Sequence, residues 1–223
     1  MKAQYLKMFI VPVILCILFG CGQDRISPKR SKESEPVLSS SGYNLPSSKG
    51  IADTKKMLKP GDIILRTGND LISSLFAQLN MRDKTYSHCG IVFSENNQWV
   101  VYHSIGGEDN PDEKLRKDLL ETFISSDHNL GYGVCRYNIG HNQQIQLHRT
   151  VDSFYSAGTP FDMQFDLQSD DRLYCAELVY KAFQKSLNND TFFTTTTHRG
   201  FTYISTDNIF VNNKAQILCH IVY

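Results

Sequence analysis

The 223-residue chain has little of what several functions require. Its formal net charge is zero, and residues 51–223 hold 16 Lys and Arg against 20 Asp and Glu. No basic run or stripe occurs, so a nucleic-acid partner has no electrostatic footing and none is expected. No apolar run reaches the ~20 residues needed to cross a hydrocarbon core. Six cysteines occur without one C-x-x-C pair, which argues against structural zinc; neither a metal nor any other cofactor is expected. No internal repeat is present. Trp occurs once, but 11 Tyr and 13 Phe supply aromatic bulk for a core, and the length suits one domain better than two.

What is present begins with a processing signal. "MKAQYLKMFIVPVILCILFGC" places Lys2 and Lys7 ahead of an apolar run from Met8 to Phe19, followed by Gly20 and Cys21. That is the layout of a secretory signal, and its ending "LFGC" resembles the bacterial lipobox. Residues 1–20 are therefore expected to be removed as a lipoprotein signal peptide, with Cys21 lipidated. Several acyl chains on one cysteine anchor firmly, each buried CH₂ adding ~0.8 kcal/mol. Residues 21–55 are rich in Ser, Lys, Pro and Gly with few aliphatics, the composition of a flexible tether. Residues 56–223 form the expected folded domain, held in the cell envelope with the membrane as its first partner. Which membrane and which face the sequence leaves open, along with the oligomeric state.

Along that domain, "KPGDIILRT" reads as a turn and a strand, and "NDLISSLFAQLN" as a helix capped by Asn69 or Asp70 with Leu71, Leu75 and Leu79 as its apolar stripe. "HCGIVF" and "QWVVYHS" read as a hairpin across "SENN". A helix is expected over Lys114–Phe123, a strand at "GYGVCRYNI", and a helix at "NQQIQLHRTVDSFYSAG" closed by Gly158. "RLYCAELVYKAF" opens a helix at Cys175 whose Leu178, Val179, Ala182, Phe183 and Leu187 form one stripe. "AQILCHIVY" reads as the last strand. Strands in the middle with helices on either side predict an α+β domain around an antiparallel sheet.

With Cys16 in the signal and Cys21 lipidated, four cysteines remain. Cys89 and Cys219 lie in apolar strands and read as core, and Cys135, between Val134 and Arg136, as core or half-buried, since free Cys is among the most buried residue types. Cys175 is different, because it follows the polar "QSDDR" and opens a helix. A thiol attacks as thiolate, and free Cys titrates near ~8.5. A helix N-terminus lowers that value, as does an adjacent imidazole. Position alone leaves Cys175 balanced between core and nucleophile. Of seven histidines, His88 stands at the rim of its strand and His103 near the end of the next. A simple hairpin makes them cross-strand neighbours, the relation of a base and its orienting partner. A metal site on the two histidines, completed by Cys175 or Glu108, is the competing reading. His128, His141 and His198 read as solvated, and His148 and His220 as structural.

The order "PGDIIL", "SHCGIVF", a strand carrying a polar residue, "PFD", then "YCAELVYKAF" resembles the circularly permuted papain-like proteins of the NlpC type, in particular the branch named after YiiX and YebB. The resemblance spans Leu58 to Leu187. It implies an α+β permuted papain-like fold in which an antiparallel sheet packs against helices. By position it makes Cys175 the nucleophile and His88 the general base, and His103 falls at the third polar site. That branch usually carries an acid there, while lecithin:retinol acyltransferase and its kin carry histidine; Glu108 could serve only if the chain turns back. Tyr86 and Tyr174 are candidates to line the cleft or donate to an oxyanion. Asp62 and Asp162 lie in matching segments, and turn structure is the simpler reading of both.

The implied activity is that of a membrane-anchored cysteine amidase or peptidase, with murein peptides as the obvious amides of an envelope. One alternative keeps the site but takes a lipid amide, ester or thioester, or transfers the acyl group to an acceptor other than water. A further alternative is a binding module with a vestigial site. The acidic stretch Glu108–Glu113 and the Thr-rich "TFFTTTTHRGF" are candidate cleft walls or plain surface.

Overall fold

Alternation of side chains decides this architecture. In "DIIL" and "CGIVF" both strand faces are apolar, so the strands must be covered on both sides. The structure, a computed structural model, describes residues 50–106, 110 and 112–223. The expected signal peptide, Cys21, nearly all of the tether and Glu108 lie outside the described residues. Among the described residues the order is α1 (Ile51–Met57), β1 (Ile63–Gly68), α2 (Leu71–Ala77), β2 (His88–Glu95), β3 (Gln98–His103), β4 (Arg116–Leu119), α3 (Leu120–Phe123), β5 (Asn129–Tyr137), α4 (His141–Ser156), α5 (Cys175–Leu187), β6 (Thr196–His198), β7 (Phe201–Tyr203), α6 (Thr206–Phe210) and β8 (Ala215–Val222).

Six strands form one antiparallel sheet in the order β4-β3-β2-β1-β5-β8. One face carries Ile63, Leu65, Cys89, Ile91, Phe93 and Tyr102, packed with the stripes of α4 and α5. The other carries Ile64, Val92, Val101 and Val134, covered by Leu58, Leu120, Phe123 and Ile124. This is the α+β arrangement the sequence predicts. The β2–β3 hairpin closes through Asn96 and Asn97, both at positive φ (49° and 62°), with Glu95 paired to Gln98; such two-residue turns favour Asn because it tolerates the left-handed region.

Three sequence expectations need correction. Lys114–Phe123 is not a helix: Arg116–Leu119 pairs with β3 as the edge strand β4, and only Leu120–Phe123 is helical. The unpaired edge of β3 needed a partner, and that tertiary demand overrode local helix propensity. Residues 51–55, assigned to the tether, belong to α1, where Thr54 is buried and its hydroxyl bonds the Tyr132 hydroxyl at 2.7 Å. In α2, Asp70 is the N-cap as expected, but Leu71 is 74% exposed and Ala77 is the helix's buried residue. The Thr-rich stretch forms a small β6–β7 hairpin. Gly158 sits just past the C-cap of α4 at φ 64°, as expected of a helix-ending glycine.

Candidate active site

The sequence places His88 at the start of β2 and His103 at the end of β3, on the same face by period-two alternation. Val92 pairs with Val101 and Ile91 with Tyr102, so Gly90 lies opposite His103. A Cβ at Gly90 would meet Val101 Cγ1 at 2.6 Å, the Tyr102 carbonyl at 2.8 Å and His103 Cβ at 3.1 Å. Glycine therefore lets β3 carry its imidazole close to β2. The expected neighbour relation is a hydrogen bond: His88 Nε2 lies 3.0 Å from His103 Nδ1. Replacing Gly90 by Ala is expected to push the strands apart and to lower stability by about 1–3 kcal/mol, the usual range for overpacking. Denaturant unfolding measures the loss.

Beyond His103 stands a carboxylate that sequence reading missed. Asp118 Oδ2 lies 3.0 Å from His103 Nε2, and Arg116 Nη2 donates to Asp118 Oδ1 at 2.9 Å. Asp118 escaped notice because its segment reads as a helix, whereas β4 aligns it beside His103. Burial pushes its carboxyl up, but the bonds from His103 and Arg116 outweigh that and hold it below the ordinary carboxylate range. His103 is held below the usual imidazole range by burial, which Asp118 only partly offsets. Burial, the Arg66 charge and His103 together hold His88 well below it. Both rings are therefore neutral at pH 7.

These states fix the tautomers. A carboxylate only accepts, so the His103 proton sits on Nε2 and its Nδ1 is bare. His88 must then donate from Nε2, which leaves His88 Nδ1 as an open lone pair. The run Asp118–His103–His88 thus ends in a base. Phe123 walls it off from water, with its ring centroid 5.5 Å from His88 and 4.9 Å from His103. The Arg66 guanidinium lies 4.7 Å from the centroid of the Phe123 ring, and Arg66 pairs with His88 across the β1–β2 ladder.

Cys175 is the first residue of α5. The first bond within the helix runs from Leu178 N–H to the Tyr174 carbonyl at 2.8 Å, so the N–H groups of Cys175 and Ala176 precede that ladder. One contact ties the entry to α5 to the end of β3. Ser104, next to His103, donates to the Leu173 carbonyl at 2.5 Å, two residues before Cys175. The Cys89 thiol, the Ala176 N–H and the Arg66 charge outweigh burial and draw the Cys175 thiol below its ordinary value. Arg66 acts electrostatically on both Cys175 and His88. Cys175 and His88 are each 9% exposed, while Cys89 and Cys135 are fully buried and Cys219 is 1% exposed. The core reading of those three agrees with the structure.

The structure gives each of the remaining candidates a partner away from these residues, and the two aspartates take the turn roles the sequence suggests. The Tyr86 hydroxyl bonds His220 Nδ1 at 2.6 Å, edge-on to Phe210 in the core. The Tyr174 hydroxyl accepts from Ile204 N–H at 2.9 Å. Asp62 forms a two-point ion pair with Arg136, at 2.7 Å on each oxygen, and accepts from Lys59 N–H. Asp162 accepts from the backbone of Gln164 and Asp166.

Glu177, in the first turn of α5, is fully buried; one oxygen accepts from Tyr174 N–H at 3.3 Å and the other has no partner among the described residues. Burial raises its pKa from 4.5 to about 8, so the carboxyl is neutral at pH 7. Between those values the folded chain holds a proton that the unfolded chain releases. Stability should therefore fall as pH rises from about 4.5 to about 8, then level off. In Glu177→Gln this decline should vanish, leaving the variant the more stable by about 1–4 kcal/mol at pH 8. Thermal unfolding at several pH values checks it.

Comparison with known proteins identifies the family. Residues 57–207 match the model of a family described as "Permuted papain-like amidase enzyme, YaeF/YiiX, C92 family". The uncharacterized protein YiiX of Escherichia coli K12 is 30% identical over 129 residues, which are 57% of this chain and 58% of that protein. The match thus spans under two thirds of that relative's length. A crystal structure of YiiX from Escherichia coli O157:H7, described as a metalloprotein, superposes with a TM-score of 0.60 at 22% identity, covering 74% of this chain and 98% of that one. With its permuted order of histidine strand before cysteine helix and a family match over well more than half its length, the chain belongs to the permuted papain-like amidase family of YaeF and YiiX.

Proposed function

We propose that this chain is a lipid-anchored cysteine amidase of the bacterial envelope, with Cys175 as nucleophile, His88 as general base and His103 as its orienting partner. The observation that carries the reading is the run Asp118–His103–His88, whose tautomers leave His88 Nδ1 bare, one residue before Cys89, which packs in the same buried cluster as Cys175. Asp118 holds the proton of His103, and His103 holds that of His88. His88 takes the thiol proton, the sulfur attacks the amide carbonyl, and a tetrahedral oxyanion forms. The Cys175 backbone N–H, outside the helical ladder, is a donor suited to that oxygen. His88 returns the proton to the departing amine, and water admitted by the same base then cleaves the thioester. As imidazolium forms, the carboxylate of Asp118 offsets its charge through His103, a function a histidine alone serves less well.

The related crystal structure is described as that of a metalloprotein. Among the described residues of this chain no group of three or more His, Cys, Asp or Glu side chains is placed to hold an ion. His88 Nε2 and both ring nitrogens of His103 are taken by hydrogen bonds. The residues do not fit a metal, and no step runs through one.

Anchoring rests on "LFGC" at residues 18–21, and it favours amides found at a membrane surface. Murein peptides are the first substrate class, and N-acyl lipids the second, favoured by the histidine at position 103 and by the tether. Incubating the full chain with murein fragments and with N-acyl lipids, while following amine release, separates them. Release from murein fragments alone supports the peptide reading; release from the lipids alone replaces it. No release from any amide, with Cys175 intact, leaves a binding module.

A further inference from the structure

On the face of the sheet opposite the two imidazoles lies a cluster of charged side chains that the amide chemistry does not use. β4, which carries Asp118, has little strand character: its four residues, "RKDL", include no β-branched or aromatic side chain, and it stands at the sheet edge beside β3. A slip of one residue would turn Asp118 to the opposite face, away from His103. We propose that Lys117 is a positioning residue for the site: its ion pair with Glu95 fixes the register of β4 and so holds the Asp118 carboxylate on His103. The inference rests on reading Asp118–His103–His88 as the relay that serves Cys175.

Lys117 lies between Arg116 and Asp118 and points to the other face by alternation, the face of Tyr102, its partner across the β3–β4 ladder. Its Nζ donates to Glu95 Oε2 at 3.0 Å. Glu95 ends β2, so the pair reaches across β3 and ties the edge strand to the strand beyond its neighbour. The ammonium also lies over two rings, 5.2 Å from the centroid of Tyr102 and 4.9 Å from that of Tyr155 on α4. Lys117 and Glu95 are 27% and 23% exposed, so salt screens their attraction less than that of a surface pair.

Glu95 is itself fixed from two sides. The Tyr102 hydroxyl donates to its Oε1 at 2.5 Å, and His148 Nε2 on α4 lies 3.0 Å from the same oxygen. The His148 ring stacks on Phe93, with centroids 4.2 Å apart. Burial pushes the Glu95 carboxyl up, but the bonds from Tyr102, Lys117 and His148 hold it below the ordinary carboxylate range, so it carries its charge at pH 7. The anchor of β4 is thus built into the packed layer between sheet and α4, while Asp118 works on the far face.

Three variants of the full chain test the proposal. Lys117→Met removes the charge but keeps a long stem over the two rings, Glu95→Gln breaks the pair from its other end, and Lys117→Arg restores it. Nitrogen NMR of the imidazoles reads where the His103 proton sits. The Nε2-protonated form is expected in the wild type and in Lys117→Arg, and a mixture of both tautomers in Lys117→Met and Glu95→Gln. On a cleaved amide those two variants should lose kcat by roughly 10- to 100-fold with KM little changed. In an Asp118→Ala background Lys117→Met should cost nothing further, because it acts through Asp118. A His103 tautomer unmoved in both variants overturns the proposal, as does a kcat loss that persists undiminished without Asp118. The spectra need no turnover, so a chain that cleaves no amide can still pass, and an active amidase can fail. A wild type without the Nε2-protonated form removes the relay itself, and the proposal with it.

Discussion

Cys175→Ala is expected to abolish amide hydrolysis, with kcat falling at least ~10³-fold, because no other group can form the acyl intermediate. Cys89, Cys135 and Cys219 are near-fully buried thiols and cannot substitute. His88→Ala should approach the same loss, since the thiol then has no acceptor for its proton. The two losses should not add: nucleophile and base act as one unit, so the double variant should resemble either single one. Steady-state kinetics on a released amine measures all three, and unchanged thermal unfolding shows that the chemistry, and not the fold, was removed.

The second large effect is expected at Asp118. Asp118→Asn keeps the shape but offers an amide N–H to His103 Nε2. The proton of His103 then moves to Nδ1 and points at His88, whose own proton is driven to the nitrogen that should stay bare. Two imidazoles in the wrong tautomer leave no base, and kcat should fall by about 10²–10⁴ with KM little changed. Asp118→Ala removes the acceptor without imposing a wrong tautomer, so its loss should be smaller. That order, Asn worse than Ala, is what a merely structural carboxylate does not produce. Arg116 also holds Asp118, and it should matter less because it touches neither ring.

Much of this was legible in the sequence where side-chain periodicity is strong. The runs around Ile63, Ile91 and Val134 announced central strands, and the Leu178–Phe183 stripe announced the helix that presents Cys175. The relation of His88 to His103 followed from hairpin geometry alone. What escaped was set by partners distant in the chain. Arg116–Leu119 has little strand character of its own and became a strand because β3 had an open edge. With it went Asp118, the acid that seemed missing from the third position. The hydroxyls of Tyr86 and Tyr174 looked available because His220 and Ile204, their partners, lie 134 and 30 residues away.

The most direct measurement is the rate of iodoacetamide alkylation at each cysteine as a function of pH, resolved by peptide mapping, in the wild type and in His88→Gln. Cys175 should be labelled ahead of the other three, with an apparent pKa below the ~8.5 of a free thiol and a rise in that value when the imidazole is removed. A Cys175 that reacts no faster than Cys135, or that titrates like a free thiol with and without His88, contradicts the account.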